Sequence, residues 1–213
     1  MSRQAVRAFE WMLWFLPALI LVEGLGVGAA PLIFLEAEFD GVSGVTGLMG
    51  ARSAAVSPDG AHVYVASLGD HALAVFSRDP RTGALTFVEA QFDDVGGVDG
   101  LDGLFGTHAV ALSVDGANVY VAAATDDTIA VFSRDPVTGA LSFLEVQRDG
   151  VGGVDGLNGA WGVTVSPDDA HVYVGGYVDQ AVAVFDRDEI TGALSFVEAE
   201  FNGLGGVVGL DDP

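Results

Sequence analysis

Three consecutive stretches of this chain are near copies of one another, and nothing constrains its fold more. The first reads AVSPDGAHVYVASLGDHALAVFSRDPRTGALTFVEAQF from Ala55 to Phe92, and its counterparts run from Ala111 to Arg148 and from Thr164 to Phe201, at a spacing of 53 to 56 residues. A tandem unit of this size is one supersecondary element that cannot cover its own apolar faces, so the copies must stack on each other.

Each copy is punctuated in the same way, and each break has a chemical cause. Ser57-Pro58-Asp59-Gly60 sets proline where φ near -65° is wanted and glycine where φ must be positive, so the chain reverses. Asp79-Pro80-Arg81-Thr82-Gly83 does the same and recurs as DPVTG at Asp135 and DEITG at Asp188. A shorter polar turn holds Asp70, Asp126 and Asp179 at one phase. Four strands joined by three hairpins make an antiparallel meander. Segments such as HVYVAS and ALAVFS are almost continuously apolar, the pattern of strands whose sheet is covered on both faces. In the fourth segment, Glu89 and Gln91 interrupt the apolar run, as do Glu145 and Gln147, Glu198 and Glu200, and Glu36 and Glu38. Charges so placed mark an edge strand and oppose sheet-to-sheet aggregation. The expected fold class is therefore all-β: a β-propeller of four-stranded antiparallel blades. Three complete blades are expected at about 50–92, 104–148 and 159–201, with one extra edge strand at 32–39 and a short apolar helix before it.

Charge narrows the partners. Thirty acidic residues against eight arginines and no lysine give a net charge of -22, which argues against nucleic acid or an anionic membrane surface. The absence of cysteine removes disulfides and thiolate metal sites. Arg3 and Arg7 precede an uncharged run from Trp11 to Val22 and a small-residue stretch ending near Ala30. That order matches a secretory signal peptide over residues 1–30, and the run falls short of the roughly 20 residues a membrane span needs. The expected location is periplasmic or extracellular.

The HVYV, NVYV and HVYV strands, each after an SPDG-like turn and before AVFSRD or AVFDRD and TGAL, resemble the YVTN-type repeats of the lactonase-like seven-bladed propellers. The resemblance covers about residues 32 to 213. It implies the frame directly and, as one activity found on that frame, hydrolysis of a lactone of the 6-phosphogluconolactone type at the central channel. Seven such blades would need roughly 370 residues at this period. The residues themselves point first to an exported repeat protein acting as a binding or scaffold module for a small-molecule or protein ligand, with the lactone hydrolase as the alternative.

Positions identical in all copies serve the blade, so a site is sought where the copies differ. Arg52, His108 and Trp161 share one phase at the entrance to the first strand, the innermost strand of a blade. There an arginine and a histidine can hold an anionic substrate and act as acid or base at a carbonyl, which makes Arg52 and His108 the candidate catalytic pair and the trio the candidate ligand site. The alternative is that loop positions drift between copies. His71, Asp127 and Gln180 also differ, in a turn expected to be solvated. Asp99 and Asp102, or Asp149 and Asp155, offer carboxylates in glycine-rich connectors that match no calcium motif, so no metal and no cofactor is expected. Arg78, Arg134 and Arg187 are expected to pair with aspartates of their own hairpins, and His62 and His171, which alternate with Asn118, to be structural. No GxSxG elbow, HExxH helix or phosphate loop is present. Stacked blades leave two end faces, assigned Val63, Val65, Val75 and Phe76 at one end and Val172, Val174, Val184 and Phe185 at the other, so self-association is expected.

Overall fold

The computed structural model describes residues 33–93 and 101–209. The apolar helix and export segment expected at 1–30 lie outside them. Twelve strands follow in order: β1 Ala51–Val56, β2 His62–Ser67, β3 Ala72–Arg78, β4 Leu85–Phe92, β5 Thr107–Leu112, β6 Asn118–Ala123, β7 Thr128–Arg134, β8 Leu141–Arg148, β9 Ala160–Val165, β10 His171–Gly176, β11 Ala181–Arg187 and β12 Leu194–Phe201. They form three sheets, β1 to β4, β5 to β8 and β9 to β12, each an antiparallel meander in chain order. The first strands approach one another, β1 against β5 and β5 against β9, so they form the inner rim of the stack.

The apolar strands are covered as their pattern requires. Tyr64, Leu73 and Val75 of the first blade pack against Leu104, Val119, Val121 and Phe132 of the second, all fully buried. Tyr120, Ile129 and Val131 meet Leu157, Val172, Val174 and Phe185 of the third in the same way. Two of the residues assigned to the first-blade end face and three of those assigned to the third-blade end face are therefore misplaced by strand alternation or by a neighbouring loop. Val75, Val172, Val174 and Phe185 face inward, and Phe76 clusters with Val45 of the connector before β1. Val63, Val65 and Val184 remain partly exposed, and Tyr173, Gly175 and Val182 share the open face with Val184.

Polar clamps cross between blades at positions expected to act locally. The Arg134 guanidinium leaves its own hairpin and donates to Tyr64 Oη (2.9 Å), Asp59 Oδ2 (2.6 Å) and His62 Nδ1 (2.8 Å) of the preceding blade. Arg187 repeats this on Tyr120 Oη (2.8 Å), Asp115 Oδ2 (3.2 Å) and Asn118 Oδ1 (2.9 Å). The pairing with local aspartates is thus corrected for Arg134, while Arg187 keeps one, with Asp169 of its own blade at 3.2 Å. Asp79, Asp135 and Asp188 instead accept amide hydrogens inside their own turns, where short side chains compete well for backbone donors. The tyrosines complete the clamp by donating to Gly139 O and Gly192 O of the next hairpin. Glycine is required there: Gly139 sits at φ +77°, and a Cβ on it would lie 2.2 Å from the His62 ring.

Edge carboxylates also reach across. Glu89 Oε1 accepts from Leu141 N (2.8 Å) and Glu145 Oε1 from Leu194 N (2.7 Å), so they latch consecutive fourth strands as well as charging an edge. Glu36 accepts from Leu85 N in the same phase. Residues 33–39, expected as an extra edge strand, carry no strand ladder, because no third strand pairs with them among the described residues.

The clamp makes stability pH-dependent. Burial, and then the Arg134 charge, lower the His62 pKa from its ordinary 6.5, so the fold favours the neutral ring. The unfolded chain takes up that proton more readily, so stability is whole above pH 6.5 and is lost as pH falls below it. His62→Asn installs the group that Asn118 supplies one blade later and should flatten this loss. Melting temperatures of the two proteins, compared from neutral pH to about pH 5, check it; parallel curves would contradict a neutral, clamped His62.

Candidate functional site

Each first strand carries one extra residue near its start. Ala51 pairs with Ser67 and Ser53 with Ala66, which leaves Arg52 as an unpaired bulge residue. His108 and Trp161 are the bulges of β5 and β9. The variable trio thus lies within strands, at the point where a ladder is broken and a side chain re-aimed. It does not lie in loops, as expected from variation among copies. A bulge fixes backbone geometry while leaving residue type open, which explains both the constant phase and the differing chemistry.

Two of the three are brought together. The His108 and Trp161 rings stack, with centroids 4.9 Å apart and planes 4° from parallel. Tyr177 stacks on Trp161 in turn, at 4.1 Å and 5°. His108 Nδ1 lies 3.0 Å from the Trp161 carbonyl oxygen. Since a carbonyl only accepts, Nδ1 carries the hydrogen in the neutral ring and Nε2 keeps its lone pair. Arg52 stands on the adjacent inner strand, exposed, with no hydrogen bond or ion pair among the described residues. Beside it Ser53 Oγ accepts from Val110 N at 3.4 Å, stitching β1 to β5. The arrangement can offer a proton acceptor of fixed tautomer, a cation and an aromatic surface. Tyr177 was not singled out in the sequence, although it replaces Leu68 and Ala124 at one phase, so comparison of the copies held the signal.

Of the second variable set, His71 and Asp127 are half-buried and tied into the fold, whereas Gln180 is exposed as expected. His71 Nδ1 accepts from Gly106 N (3.1 Å) and its ring lies on Phe105, while Asp127 Oδ1 accepts from Gly159 N (2.7 Å). These residues have positive φ, 52° and 56°, and tie one blade's turn to the next blade's first strand. Gln180 holds the same conformation at the open end.

Aspartates converge at the connectors. Asp93, Asp102 and Asp126 form one group and Asp149, Asp155 and Asp179 another, their ligand atoms within 4.8 Å of one another. Asp99 lies outside the described residues. These are the groups that could offer oxygen ligands to a hard cation. Five of the six already accept backbone amides: Asp93 from Leu104 N, Asp126 from Phe105 N, Asp149 from Leu157 N, Asp155 from Gly156 N and Asp179 from Asn158 N. Burial first, with the neighbouring carboxylates adding to it, raises the pKa of Asp126 and Asp179. Arg148 pairs with Asp102 at 3.2 Å in the first group, and Phe201 occupies its place beside the second.

Comparison with known proteins follows the fold. Residues 91–208, more than half of the chain, match the family model described as lactonase, seven-bladed β-propeller. No curated protein matches the sequence. Among solved structures, a Bacteroides uniformis protein provisionally described as a 6-phosphogluconolactonase is 22% identical with a TM-score of 0.61, over 74% of this chain and 42% of that one. A periplasmic gluconolactonase from Pseudomonas aeruginosa is 24% identical with a TM-score of 0.58, over 70% of this chain and 39% of that one. A Lactobacillus plantarum protein is 24% identical with a TM-score of 0.60, over 74% of this chain and 44% of that one. The chain spans about two fifths of the length of these structures, with which it shares the fold.

Proposed function

The chain belongs to the lactonase family of seven-bladed β-propellers, and from that membership we propose that it serves in lactone hydrolysis at the inner rim of the blades. The family match favours this reading over a scaffold module. The observation that carries it to particular residues is the hydrogen bond from His108 Nδ1 to the Trp161 carbonyl, which leaves Nε2 as the acceptor a general base needs. In the proposed step Nε2 takes a proton from water as the water oxygen bonds to the lactone carbonyl carbon. The ring C–O bond then breaks, and the leaving oxygen takes the proton, giving a hydroxy acid. Arg52 holds the phosphate of a phosphorylated sugar lactone, or donates to a hydroxyl oxygen of the uncharged lactone. His108 alternates with arginine and tryptophan in the other copies, which supports a singular role rather than a blade requirement.

The order of basic, apolar and small residues over 1–30 supports export to the periplasm or beyond, in keeping with the location described for the Pseudomonas aeruginosa protein. The test of function is direct. The intact chain, with gluconolactone and its 6-phosphate as substrates, should open the ring faster than buffer alone, with saturation at rising lactone. A rate equal to buffer for both lactones would remove the enzymatic reading for this chain.

A further inference from the structure

We propose that the chain assembles head to tail with a second copy of itself, the open face of its third blade docking on the open face of the first blade of its partner. The reason is that this interface already exists twice inside the molecule. At each internal junction an arginine at the end of a third strand enters the preceding blade, meeting a tyrosine hydroxyl and a turn aspartate. Both halves of a further junction are present and stand unjoined among the described residues. On the first blade, Arg78 donates from Nη1 to Gly60 O, and its Nε and Nη2 find no partner among the described residues. On the third, Tyr173, Asp168 and His171 occupy the positions of Tyr64, Asp59 and His62.

The apolar surfaces correspond as well. Tyr64, Ala66, Leu73 and Val75 are fully buried beneath the second blade, whereas Tyr173, Gly175, Val182 and Val184, their counterparts, are only partly covered. Tyr173, Gly175 and Val182 border an open recess of about 350 Å³ that includes Gly162 and Gly175, where an added Cβ would meet nothing within 4 Å. Val63 and Val65 on the first blade are the residues that, as Val119 and Val121 in the second, fill the matching space. A contact between unlike faces of identical chains is heterologous, so it extends into a ring or a filament. One element competes with it. Glu36 occupies Leu85 N, the donor that Glu198 of the docking copy would take, so residues 33–39 must give way.

Light scattering with size exclusion, or sedimentation velocity, on the intact chain over a dilution series in about 0.15 M salt tests this. The salt screens the repulsion of a net charge of -22. Mass should rise with concentration. Arg78→Ala and Val182→Asp should each weaken association at least tenfold, and Glu36→Gln should strengthen it. The deciding measurement mixes the two weakened chains. Arg78→Ala keeps an intact third-blade face and Val182→Asp an intact first-blade face, so together they restore one junction and should stop at a one-to-one pair. Circular dichroism confirms that each variant retains its strands. A single mass at every concentration, or association that neither substitution weakens, would overturn the proposal, as would a mixture that associates no better than its parts.

Discussion

Replacing Arg134 with alanine should destabilise the chain by about 3–5 kcal/mol, the range for breaking a buried ion pair by removing one partner. The side chain is 2% exposed and joins four groups: Asp59, Tyr64, His62 and the Gly116 carbonyl. Its removal leaves the Tyr64 hydroxyl, itself fully buried, with a donor bond to Gly139 O and no donor to accept from. It also strips a charge partner from Asp59. Burial acts against the Asp59 charge, but the Ser57 hydroxyl, the Ala61 amide and Arg134 together outweigh it and hold the carboxyl well below the usual range. Arg187→Ala should lose as much, because that side chain is fully buried on Asp115, Asn118 and Tyr120. Arg78→Ala is the internal control. With one bond to its own blade, it should cost less than about 1 kcal/mol. Urea unfolding of the three variants, at dilutions where the chain is single, decides the matter. An equal loss at Arg78 would show that these arginines act within blades, and the clamp between blades would be an incorrect description. With total stabilities of roughly 5–15 kcal/mol for domains in general, either inner arginine is a large share of what holds the stack.

The same clamp shows where reading the sequence reaches and where it stops. Strand order, hairpin positions and blade stacking were all legible, because proline, glycine and aspartate fix turns locally and apolar runs report two covered faces. What crosses between blades was not. Arg134 lies 75 residues from Asp59, and sequence neighbours offered it Asp135 instead, which spends its carboxylate on the amides of its own turn. His71 and Asp127 were misread for a related reason: polarity in a turn looks like solvent exposure until the next blade is set against it. The end faces failed on parity, since adjacent strand residues face opposite sides and only one side of an end blade is open. In the candidate site, the phase shared by Arg52, His108 and Trp161 was visible as disagreement among copies. Its physical cause, the bulge, was not, because a bulge is defined by the partner strand's register. Stacking of His108 on Trp161 needs two blades side by side, and no pattern within one copy announces it.

His108→Ala should reduce kcat for lactone opening by about 10²- to 10⁴-fold, the range for losing a positioned general base, with little change in KM. Arg52→Ala should do the reverse. A charge-assisted contact made alike in ground and transition states raises KM, here by about 10- to 100-fold, and leaves kcat nearly unaltered. The two side chains differ in this way because, in the proposed step, one handles the reacting proton and the other holds a group remote from it. In the same proposal Trp161 acts through His108 as a positioning residue. Trp161→Ala keeps the backbone carbonyl that receives the Nδ1 hydrogen but removes the ring that holds the imidazole parallel at 4.9 Å, so kcat should fall, and by less than in His108→Ala. Trp161→Phe retains a stacking face and should recover most of that loss, which a purely structural residue would not do selectively in kcat. All three positions are bulges with side chains at least partly exposed, so the variants should keep the strand signature and unfolding midpoint of the parent. Steady-state kinetics on the four proteins separate the roles. If His108→Ala retains the parental kcat, the base lies elsewhere on the rim, and the hydrogen bond to Trp161 serves only to join two blades.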